Sequence, residues 1–494
     1  MALRTGAEFL EGLRDGRSVW LAGEQVKDVA THPGLAEVAR TLAEIYDLQH
    51  DPEFKDALAI PSPLTGNPIS ASYLLPTNHE ELTRRKKLIQ FWSRRSGGVA
   101  GRLPDYQAII NVGLYDHRGI FAQEDPQFEQ NVVNWFQHMT ENDLLQTHAF
   151  ADPPRDRSRP PSDLEYLKIV ERRPDGIVIR GAKSVSTIAP YANEFLGLTP
   201  FRPGILPDEV LYFAVPLNTK GLHIVCRNSL VPREPEDHPL APYWDEMDAS
   251  IVFDDVFIPS DRIFFIRKTS DQEPRYHGNL FYSVISYPLW HILVRATIKT
   301  EVLLGICSAM VDYLGTANRP EIQLALAQVG VYLEALKALA IAAEQNYIPS
   351  PSGLAVPNPT QITAGRIMVV ERHAQILQML RELSGSGILM SPNTKELADP
   401  DVGPFIRKYF VGKDERALER FRMLKLAWEY ACDSFGGRQL LFEIYNAGGI
   451  NLNLANFIQN YDVSSYVQIA KDLAGITSSS ETPLLKRVQN GLDA

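Results

Sequence analysis

Apolar residues recur at helical spacing at both ends of the chain, and strand-like runs occupy the segment between them. The helical spacing predicts helices over residues 34–47 and 129–145, within an N-terminal helical domain of residues 1–147. Further long helices are predicted over residues 289–314, 320–347, 361–383 and 414–435. Because long helices joined by short loops are typical of an up-and-down bundle, residues 276–494 are predicted to form a C-terminal four-helix bundle domain.

The segment between the helical zones carries turn signals flanked by apolar and β-branched runs. Residues 166–171 and 176–180 flank the sequence RPDG, and residues 210–216 and 222–227 flank NTKG, so each pair predicts a β-hairpin. The run ASIVFDDVFI predicts a further strand. Residues 148–275 are therefore predicted to form a middle antiparallel β domain, and the fold class is predicted as α+β, mainly α.

Composition narrows the functional classes. With 494 residues, the chain exceeds what one hydrophobic core usually supports, so more than one domain is expected. Its formal net charge of -11, with no basic run or tail, argues against nucleic acid and against an anionic membrane surface. The 3 cysteines form no CxxC pair, so a disulfide framework is not predicted. No signal-peptide core or membrane-spanning apolar run is apparent, and a cytoplasmic location is expected.

Nucleotide-binding and metal-binding signatures are missing from the sequence. No G-x-G-x-x-G follows a predicted strand, no P-loop occurs, and the 11 histidines form no H-E-x-x-H motif or metal-spaced cluster. No metal site is predicted. Since the chain lacks a nicotinamide site of its own, it could use a reduced flavin only if a separate reductase supplied it.

One short segment concentrates polar chemistry. Arg102 and Tyr106 stand on either side of Pro104, and His148 follows later within the sequence THA. Proline restricts its own backbone and that of the preceding residue, so both side chains are expected to project from a rigid turn. An arginine, a tyrosine and a histidine together suit the binding of an oxygen that carries or gains negative charge. The alternatives are a surface ion pair between Arg102 and Asp105, a core position for Tyr106, and a loop or N-cap hydrogen bond for His148.

The sequence GRLPDY at residues 101–106 resembles the GRxPDY signature of the 4-hydroxyphenylacetate 3-monooxygenase family of two-component, flavin-dependent phenol monooxygenases. Residues 147–158 are similar to the family's segment T-H-A-x-x-x-P-x-x-x-R-[AS], and residues 181–187 are similar to its GA[KR]xxAT element. Three further segments resemble family elements and follow in the same order, at residues 245–259, 385–390 and 435–439.

The resemblance implies an acyl-CoA dehydrogenase-like fold, with the flavin where the β domain meets the helical bundle. It implies ortho-hydroxylation of a phenolic substrate through a flavin hydroperoxide, formed from O2 and from reduced FAD that a separate NAD(P)H:flavin reductase supplies. A homotetramer, built as a dimer of dimers, is also implied. The open alternatives are the same flavin chemistry on an amine or a carrier-bound aryl substrate, and a flavin-binding protein without catalysis.

The resemblance also implies roles for individual residues. Catalytic roles are implied for Arg102, Tyr106 and His148. These three would also bind the substrate, together with Thr199, Pro200 and Arg202. FAD binding is implied for His148, Ala149, Phe150, Pro154, Arg155, Asp156, Arg157, Thr187, Gly448, Gly449, Ile450 and Asn451. A solvated turn is the alternative for the loop around Arg157, and a helix cap is the alternative for residues 448–451.

Some features depart from the family pattern or limit it. Residues 198–208 form a proline-rich loop where family members contact the far end of the substrate, and its only cation, Arg202, suits a substrate carboxylate or else points to solvent. Arg438, placed at a helix end, either reaches a neighbouring subunit or balances the helix dipole.

The related 4-hydroxybutyryl-CoA dehydratases hold an iron–sulfur cluster through cysteines. Residues 99–106 contain no cysteine and Ile298 occupies another ligand position, so a cluster site is not predicted.

Overall fold

Helices dominate the N-terminal part of the chain, and several begin at side chains suited to capping. The computed structural model describes residues 3–156, 158–160, 164–199, 205–231, 234–267, 284–413, 417–446 and 448–476. Thr5, Asn78 and Asp125 each accept a backbone N–H from the first turn of a helix. The helices of this part are α1 (Gly6–Glu11), α2 (Ala36–Asp47), α3 (Lys55–Leu58), α4 (His79–Arg95), α5 (Pro104–Asp116), α6 (Arg118–Phe121) and α7 (Pro126–Glu141). The helices predicted from the apolar spacing are confirmed as α2 and α7.

The strands lie mainly in two sheets. They are β1 (Ser18–Leu21), β2 (Glu24–Val26), β3 (Ala59–Pro61), β4 (Pro68–Ser70), β5 (Gln146–Ala149), β6 (Lys168–Arg173), β7 (Gly176–Thr187), β8 (Glu194–Leu198), β9 (Leu211–Pro216), β10 (Leu222–Cys226), β11 (Asp248–Pro259), β12 (Ile263–Ile266), β13 (Ile348–Pro349) and β14 (Ala355–Val356). The larger sheet has the order β2-β1-β10-β11-β7-β6, and the smaller one has the order β12-β9-β8-β5. The hairpin predicted around RPDG is confirmed as β6 and β7, and the further predicted strand is confirmed as β11.

The second predicted hairpin is wrong, because β9 and β10 lie in different sheets. β9 pairs with β8 and β12, whereas β10 pairs with β11 and β1. Between them the backbone crosses from one sheet to the other. The Leu217 N–H is donated to the Asn193 carbonyl, and Gly221 adopts the left-handed region at φ +86. The β1–β10 and β5–β8 pairs are parallel, so the β domain is mixed rather than purely antiparallel.

The N-terminal part also contains strands that the sequence analysis missed. β1 and β2 form a hairpin whose turn residues, Ala22 and Gly23, have positive φ values of 52 and 86. A two-residue turn of this kind matches the right-handed twist of paired strands. Since β1 then joins the large sheet beside β10, the N-terminal segment shares a sheet with the middle of the chain.

Long helices form the C-terminal bundle. The described helices from the middle of the chain onward are α8 (Ala241–Trp244), α9 (Ser286–Tyr313), α10 (Pro320–Gln345), α11 (Pro359–Ser384), α12 (Thr394–Ala398), α13 (Gly403–Tyr409), α14 (Ala417–Ala431), α15 (Ser434–Tyr445), α16 (Ile450–Asn460) and α17 (Ser464–Leu473). The helix predicted to run to residue 435 ends earlier, as α14. It ends there because Asp433 accepts the Gly436 N–H and starts α15.

Within the described part of the chain, α10 is the one helix long and apolar enough to cross a membrane by length and composition, which is weak evidence for a span. It packs against α9 and α11. Most of its apolar stretch is nevertheless not buried in the single chain. The helix therefore leaves an apolar face without a partner from the described residues.

The order of N-terminal helices, central sheets and C-terminal bundle is the predicted acyl-CoA dehydrogenase-like architecture. The domain limits expected near residues 147 and 275 stay predictions. α5 contacts β5, and β5 contacts β7. Arg438 of α15 forms an ion pair with Asp248 of β11, so the bundle joins the sheet at the same place. This junction of the three parts positions the candidate site.

Candidate active site

Arg102 lies buried at the start of α5, where Pro104 occupies the first turn. Its Nη1 donates to the Gly101 carbonyl at 2.9 Å, and its Nη2 donates to Oδ1 of Asn446 at 2.6 Å. Burial lowers the pKa of Arg102, while Tyr106 acts to raise it. Arginine keeps its charge in proteins even when buried, so a fixed cation stands at the junction. The structure does not contain the alternative surface ion pair with Asp105.

Two aromatic rings lie close to the Arg102 guanidinium. Its carbon lies 4.1 Å from the ring centroid of Tyr106 and 5.0 Å from that of Phe442 on α15. A side chain at Gly101 would collide with the Phe442 ring, which explains why glycine precedes Arg102. The hydrogen bonds to Gly101 and Asn446 use two of the five guanidinium N–H groups, so the others can bind a ligand.

Tyr106 and His148 lie beside this arginine. Their rings are 5.8 Å apart at 29°, with Tyr106 on α5 and His148 on β5. Nδ1 of His148 donates to Oε1 of Gln107 at 2.9 Å. Burial lowers the pKa of His148 well below its ordinary value, and the charge of Arg102 lowers it further. His148 is therefore neutral at physiological pH, and the structure brings together the three residues for which catalytic roles were predicted.

A buried pair behind Tyr106 was missed in the sequence. Nε2 of His291 on α9 donates to Oδ2 of Asp105 at 3.0 Å, and both residues are buried. The His291 ring meets the Tyr106 ring edge-on at 5.0 Å. This pair holds the first turn of α5 against the bundle and so fixes the position of Tyr106.

Thr187 ends β7 next to the strand of His148. Its hydroxyl donates to Oδ1 of Asp248 at 2.8 Å, and its carbonyl accepts from the Thr147 hydroxyl at 2.7 Å. Burial acts to raise the pKa of Asp248, but the charges of Arg438 and Arg227 outweigh it and hold that pKa well below its ordinary value. Asp248 is thus an acceptor only, so the Thr187 oxygen keeps lone pairs for a further donor.

Arg438 is not at a helix end, so the predicted balance of a helix dipole is wrong, and its contact with a neighbouring subunit stays a prediction. It lies inside α15, where Nη2 donates to Oδ1 of Asp248 at 2.8 Å and Nε donates to Oδ2 at 2.9 Å. Glu246, on the same segment, accepts the backbone N–H groups of Gly101 and Arg102. Because these carboxylates lie far from Arg102 in the sequence, no local pattern identified them.

The loop after β5 carries several of the predicted FAD-binding residues. Ala149 is buried in β5, and the Phe150 ring lies 4.7 Å from the His148 ring. Arg155 lies over the Tyr166 ring at 4.7 Å, and its buried Nε has no hydrogen-bond partner in the described part of the chain. Pro154 and Asp156 are exposed, and Asp156 accepts the Ser158 N–H. Arg157 lies outside the described residues. A buried, unpaired guanidinium nitrogen fits an anionic ligand such as the FAD pyrophosphate.

The glycine turn between α15 and α16 adjoins the same site. Gly448 has φ +83, and its carbonyl accepts from Nδ2 of Asn453 at 2.8 Å. Gly449 caps α16, whose first residues are Ile450 and Asn451. The turn directly follows the segment of Asn446, which binds Arg102. A left-handed glycine and a helix N-terminus both permit close approach of a cofactor to the backbone.

The predicted substrate loop is only partly described. Thr199 follows β8, where Leu196 pairs with His148, and its hydroxyl donates to the Leu211 carbonyl at 3.2 Å. Thr199 is buried. Pro200 and Arg202 lie outside the described residues, so the predicted charge recognition by this loop stays a prediction.

One group of potential metal ligands occurs in the described chain, although the sequence spacing showed none. His238, Glu429 and Asp433 bring their ligand atoms within 4.8 Å of one another. The Glu429 oxygens accept the backbone N–H groups of Leu240 and Ala241, and Asp433 caps α15. These carboxylates therefore stabilise helix starts.

Comparisons with known proteins show the family. Residues 5–265 match the family model described as 4-hydroxyphenylacetate 3-hydroxylase N terminal, and residues 280–475 match the corresponding C-terminal model. The 4-hydroxyphenylacetate 3-monooxygenase oxygenase component of Thermus thermophilus is 33% identical, over 90% of this chain and 92% of the relative. A 4-nitrophenol 4-monooxygenase/4-nitrocatechol 2-monooxygenase oxygenase component of Rhodococcus opacus is also 33% identical, over 90% of this chain and 85% of that one.

A solved structure is similar over nearly the whole chain. It is the oxygenase component of a 4-hydroxyphenylacetate 3-monooxygenase complexed with FAD and 4-hydroxyphenylacetate. The similarity has a TM-score of 0.89 at 31% identity and covers 95% of this chain and 98% of the other. The chain therefore belongs to the 4-hydroxyphenylacetate 3-hydroxylase family.

Proposed function

We propose that this protein is the oxygenase component of a two-component flavin-dependent monooxygenase, which hydroxylates a phenol ortho to its hydroxyl group with reduced FAD and O2. The observation that carries the proposal is the meeting of a buried Arg102 with Tyr106 and a neutral His148. A site of donors around one acceptor suits a phenol that must lose its proton. Relatives named as phenol monooxygenases support this reaction over N-hydroxylation and over a protein without catalysis.

Arg102, Tyr106 and His148 each have a different role in the deprotonation of the phenol. A phenol has a reference pKa of ~10, and an adjacent cation lowers such a value by roughly 1–3 units. Arg102 supplies that cation, and Tyr106 supplies a neutral donor to the phenolate oxygen. His148 accepts the proton, because its ring is neutral and has an unprotonated nitrogen, whereas Arg102 has no acceptor atom. The phenolate ring is then electron-rich enough for attack by an electrophilic oxygen.

Several residues fit the flavin. Reduced FAD, when bound, supplies the electrons that activate dioxygen. Arg155 and Arg157, with the backbone near Pro154 and Asp156, would hold its phosphates. The turn 448–451 would approach it through backbone groups, and His148, Ala149 and Phe150 would line its ring. Thr187 would accept a hydrogen bond from a ring N–H, because its own proton is donated to Asp248.

Replacing Thr187 with alanine is expected to raise the ratio of hydrogen peroxide to hydroxylated product several-fold. The variant loses a hydrogen bond worth on the order of 1 kcal/mol to the flavin, so oxygen activation is less well coupled to hydroxylation. The two products are quantified after single turnovers with reduced FAD. Thr140→Ala is the control, because its hydroxyl donates to the Phe136 carbonyl within α7. An unchanged ratio in Thr187→Ala would remove Thr187 from the mechanism.

The reaction itself is tested by a single turnover of the protein with reduced FAD, 18O2 and a panel of phenols. We expect a catechol that contains one 18O atom, formed without any reductase present. The panel includes phenols with and without a carboxylate, because Thr199, Pro200 and Arg202 are proposed to contact the far end of the substrate. Complete conversion of oxygen to peroxide with every phenol would contradict the proposed function.

A separate NAD(P)H:flavin reductase is proposed as the partner that supplies reduced FAD, in line with relatives named as oxygenase components. We further propose a cytoplasmic homotetramer, a dimer of dimers. The support is α10, whose Leu324 and Val331 are 67% and 73% exposed in the single chain. A groove of about 630 Å³ between α10 and α11 is lined by these residues and by Met368 and Met379. Such an apolar face is typical of a subunit interface.

Val331→Asp is expected to lower the mass of the assembly, because a charge would be buried in the proposed interface. Light scattering measures the mass, and circular dichroism checks that the variant remains helical. Gln323→Asp adds the same charge to an exposed position of α10 outside the groove and serves as the control. If both variants keep the parent mass, this face of α10 is not a subunit interface.

A further inference from the structure

Gln107 connects the two elements that carry the candidate active site. It follows Tyr106 on α5 and is buried, and its Oε1 accepts from Nδ1 of His148 at 2.9 Å. Its backbone carbonyl accepts from Nε2 of Gln146 on β5 at 3.2 Å. Two hydrogen bonds therefore hold this turn of α5 against β5, and one of them ends on the imidazole of His148.

We propose that Gln107 is a positioning residue that fixes the tautomer of His148 and thereby makes Nε2 the proton acceptor of the site. An amide oxygen has lone pairs but no proton, so the ring nitrogen bonded to Oε1 must carry the hydrogen. A neutral imidazole has one protonated nitrogen, which leaves the other as an acceptor. Among the described residues, none forms a hydrogen bond to Nε2 of His148, so this nitrogen is available to a ligand.

The surroundings of His148 keep the ring neutral. Burial is the largest cause of its lowered pKa, and Arg102 is the next. The elements packed around β5 carry Arg102, Asp105, Tyr106, Tyr115 and Asp116 in the α5 region, Arg180 and Lys183 on β7, Tyr191 in the turn before β8, and Glu194 on β8. Lys183 is paired with Asp152, and Glu194 is paired with His138. No described carboxylate is hydrogen-bonded to the imidazole itself, so the neutral ring is favoured until a bound substrate supplies a negative charge.

This inference rests on the proposed phenol hydroxylation and adds the direction of proton transfer. Arg102 offers only donors, and a tyrosine hydroxyl is a weak base, so Nε2 is the atom that can take the phenol proton at neutral pH. The opposite orientation of the Gln107 amide would place the proton on Nε2 and turn His148 into a donor. The two arrangements differ in a measurable quantity, the tautomer of His148.

The tautomer is measured by NMR on protein with isotope-labelled histidine, and the His148 signal is assigned by its loss in His148→Asn. In the parent protein we expect a neutral ring with the proton on Nδ1. Gln107→Glu keeps an acceptor at this position and is expected to keep that tautomer. Gln107→Met removes the acceptor and is expected to give a mixture of tautomers. A parent spectrum with the proton on Nε2 would overturn the proposal.

The pH profile gives a second readout that a purely structural role would not move. A carboxylate in Gln107→Glu would raise the pKa of His148 by roughly 1–3 units. Because protonated His148 cannot accept the phenol proton, the acid limb of kcat/KM should move to higher pH by a similar amount. Gln107→Met should lower kcat about tenfold with little change in KM, since Arg102 and Tyr106 still bind the phenol. An acid limb in Gln107→Glu that coincides with the parent limb would also overturn the proposal.

Failure of this inference and failure of the proposed function have different signatures. If the parent protein hydroxylates no phenol, the proposed function fails, while the NMR spectra still report whether Gln107 sets the tautomer. If the parent protein hydroxylates phenols and the tautomer is unaffected by Gln107→Met, the function stands and the role of Gln107 is wrong.

Discussion

Arg102→Lys is expected to lower the rate of phenol hydroxylation about 100-fold, while bound reduced FAD still reacts with oxygen. A single preorganised donor to a developing oxyanion is typically worth this much. Lysine keeps the charge but lacks the planar fork, which here donates to Gly101 and Asn446 and stacks on Tyr106. Stopped-flow absorbance follows the flavin, and chromatography of the quenched reaction measures the product.

The control for this prediction is Arg180→Lys. Arg180 also acts as a forked donor, with Nε and Nη2 donating to Asp255 at 2.8 and 2.7 Å, but it lies exposed on the sheet. Its replacement should leave hydroxylation unchanged. Hydroxylation by Arg102→Lys at the parent rate would show that no forked donor is needed, and the phenolate role of Arg102 would be wrong.

Glu443→Leu is expected to lower the free energy of unfolding by about 3–5 kcal/mol, because it leaves two buried cations without their carboxylate. Glu443 on α15 accepts from Nη1 and Nη2 of Arg295, each at 2.7 Å, and from Nζ of Lys299 at 2.9 Å. All three side chains are buried. Urea unfolding measures the change, and the effect matters for function because α15 also carries Phe442 against Arg102.

The acid sensitivity of the protein follows from the same cluster. Burial acts to raise the pKa of Glu443, but Arg295 and Lys299 outweigh it and hold the pKa well below its ordinary value. A depressed carboxyl pKa contributes stability above the unfolded-state pKa, and that stability is lost as pH falls through the folded-state value.

The control for Glu443→Leu is Glu37→Ala, which removes an exposed ion pair with Arg40 and should lower the free energy of unfolding by less than about 1 kcal/mol. If Glu443→Leu lowers the free energy of unfolding no more than Glu37→Ala does, this account is wrong.

Local patterns in the sequence predicted most of the elements but not all of their partners. Apolar spacing was enough for α2 and α7, and the RPDG turn was enough for the β6–β7 hairpin. The hairpin predicted around NTKG was wrong, because a glycine in the left-handed region occurs in connections between two sheets as well as in hairpin turns. The short strands β1 and β2 offered too few residues for a period to show, although Gly23 marked their turn.

The residues of the candidate site were likewise predicted only in part. Arg102, Tyr106 and His148 were found because they lie in two short motifs whose chemistry is recognisable. Phe442 and Asn446 were not, because their contacts with Arg102 depend on how α15 packs against the start of α5. Gln107 had one available signal, its place directly after Tyr106, but only the pairing of α5 with β5 shows that it binds His148.

The central claim is that a buried arginine holds the substrate as a phenolate after His148 has accepted the phenol proton. The direct test is a titration of a bound nitrophenol, whose phenolate absorbs visible light, in the absence of flavin. The account predicts that the bound phenol titrates roughly 1–3 units below its value in buffer. It also predicts that Arg102→Leu removes this shift. A bound phenol that titrates at or above its value in buffer would contradict the account.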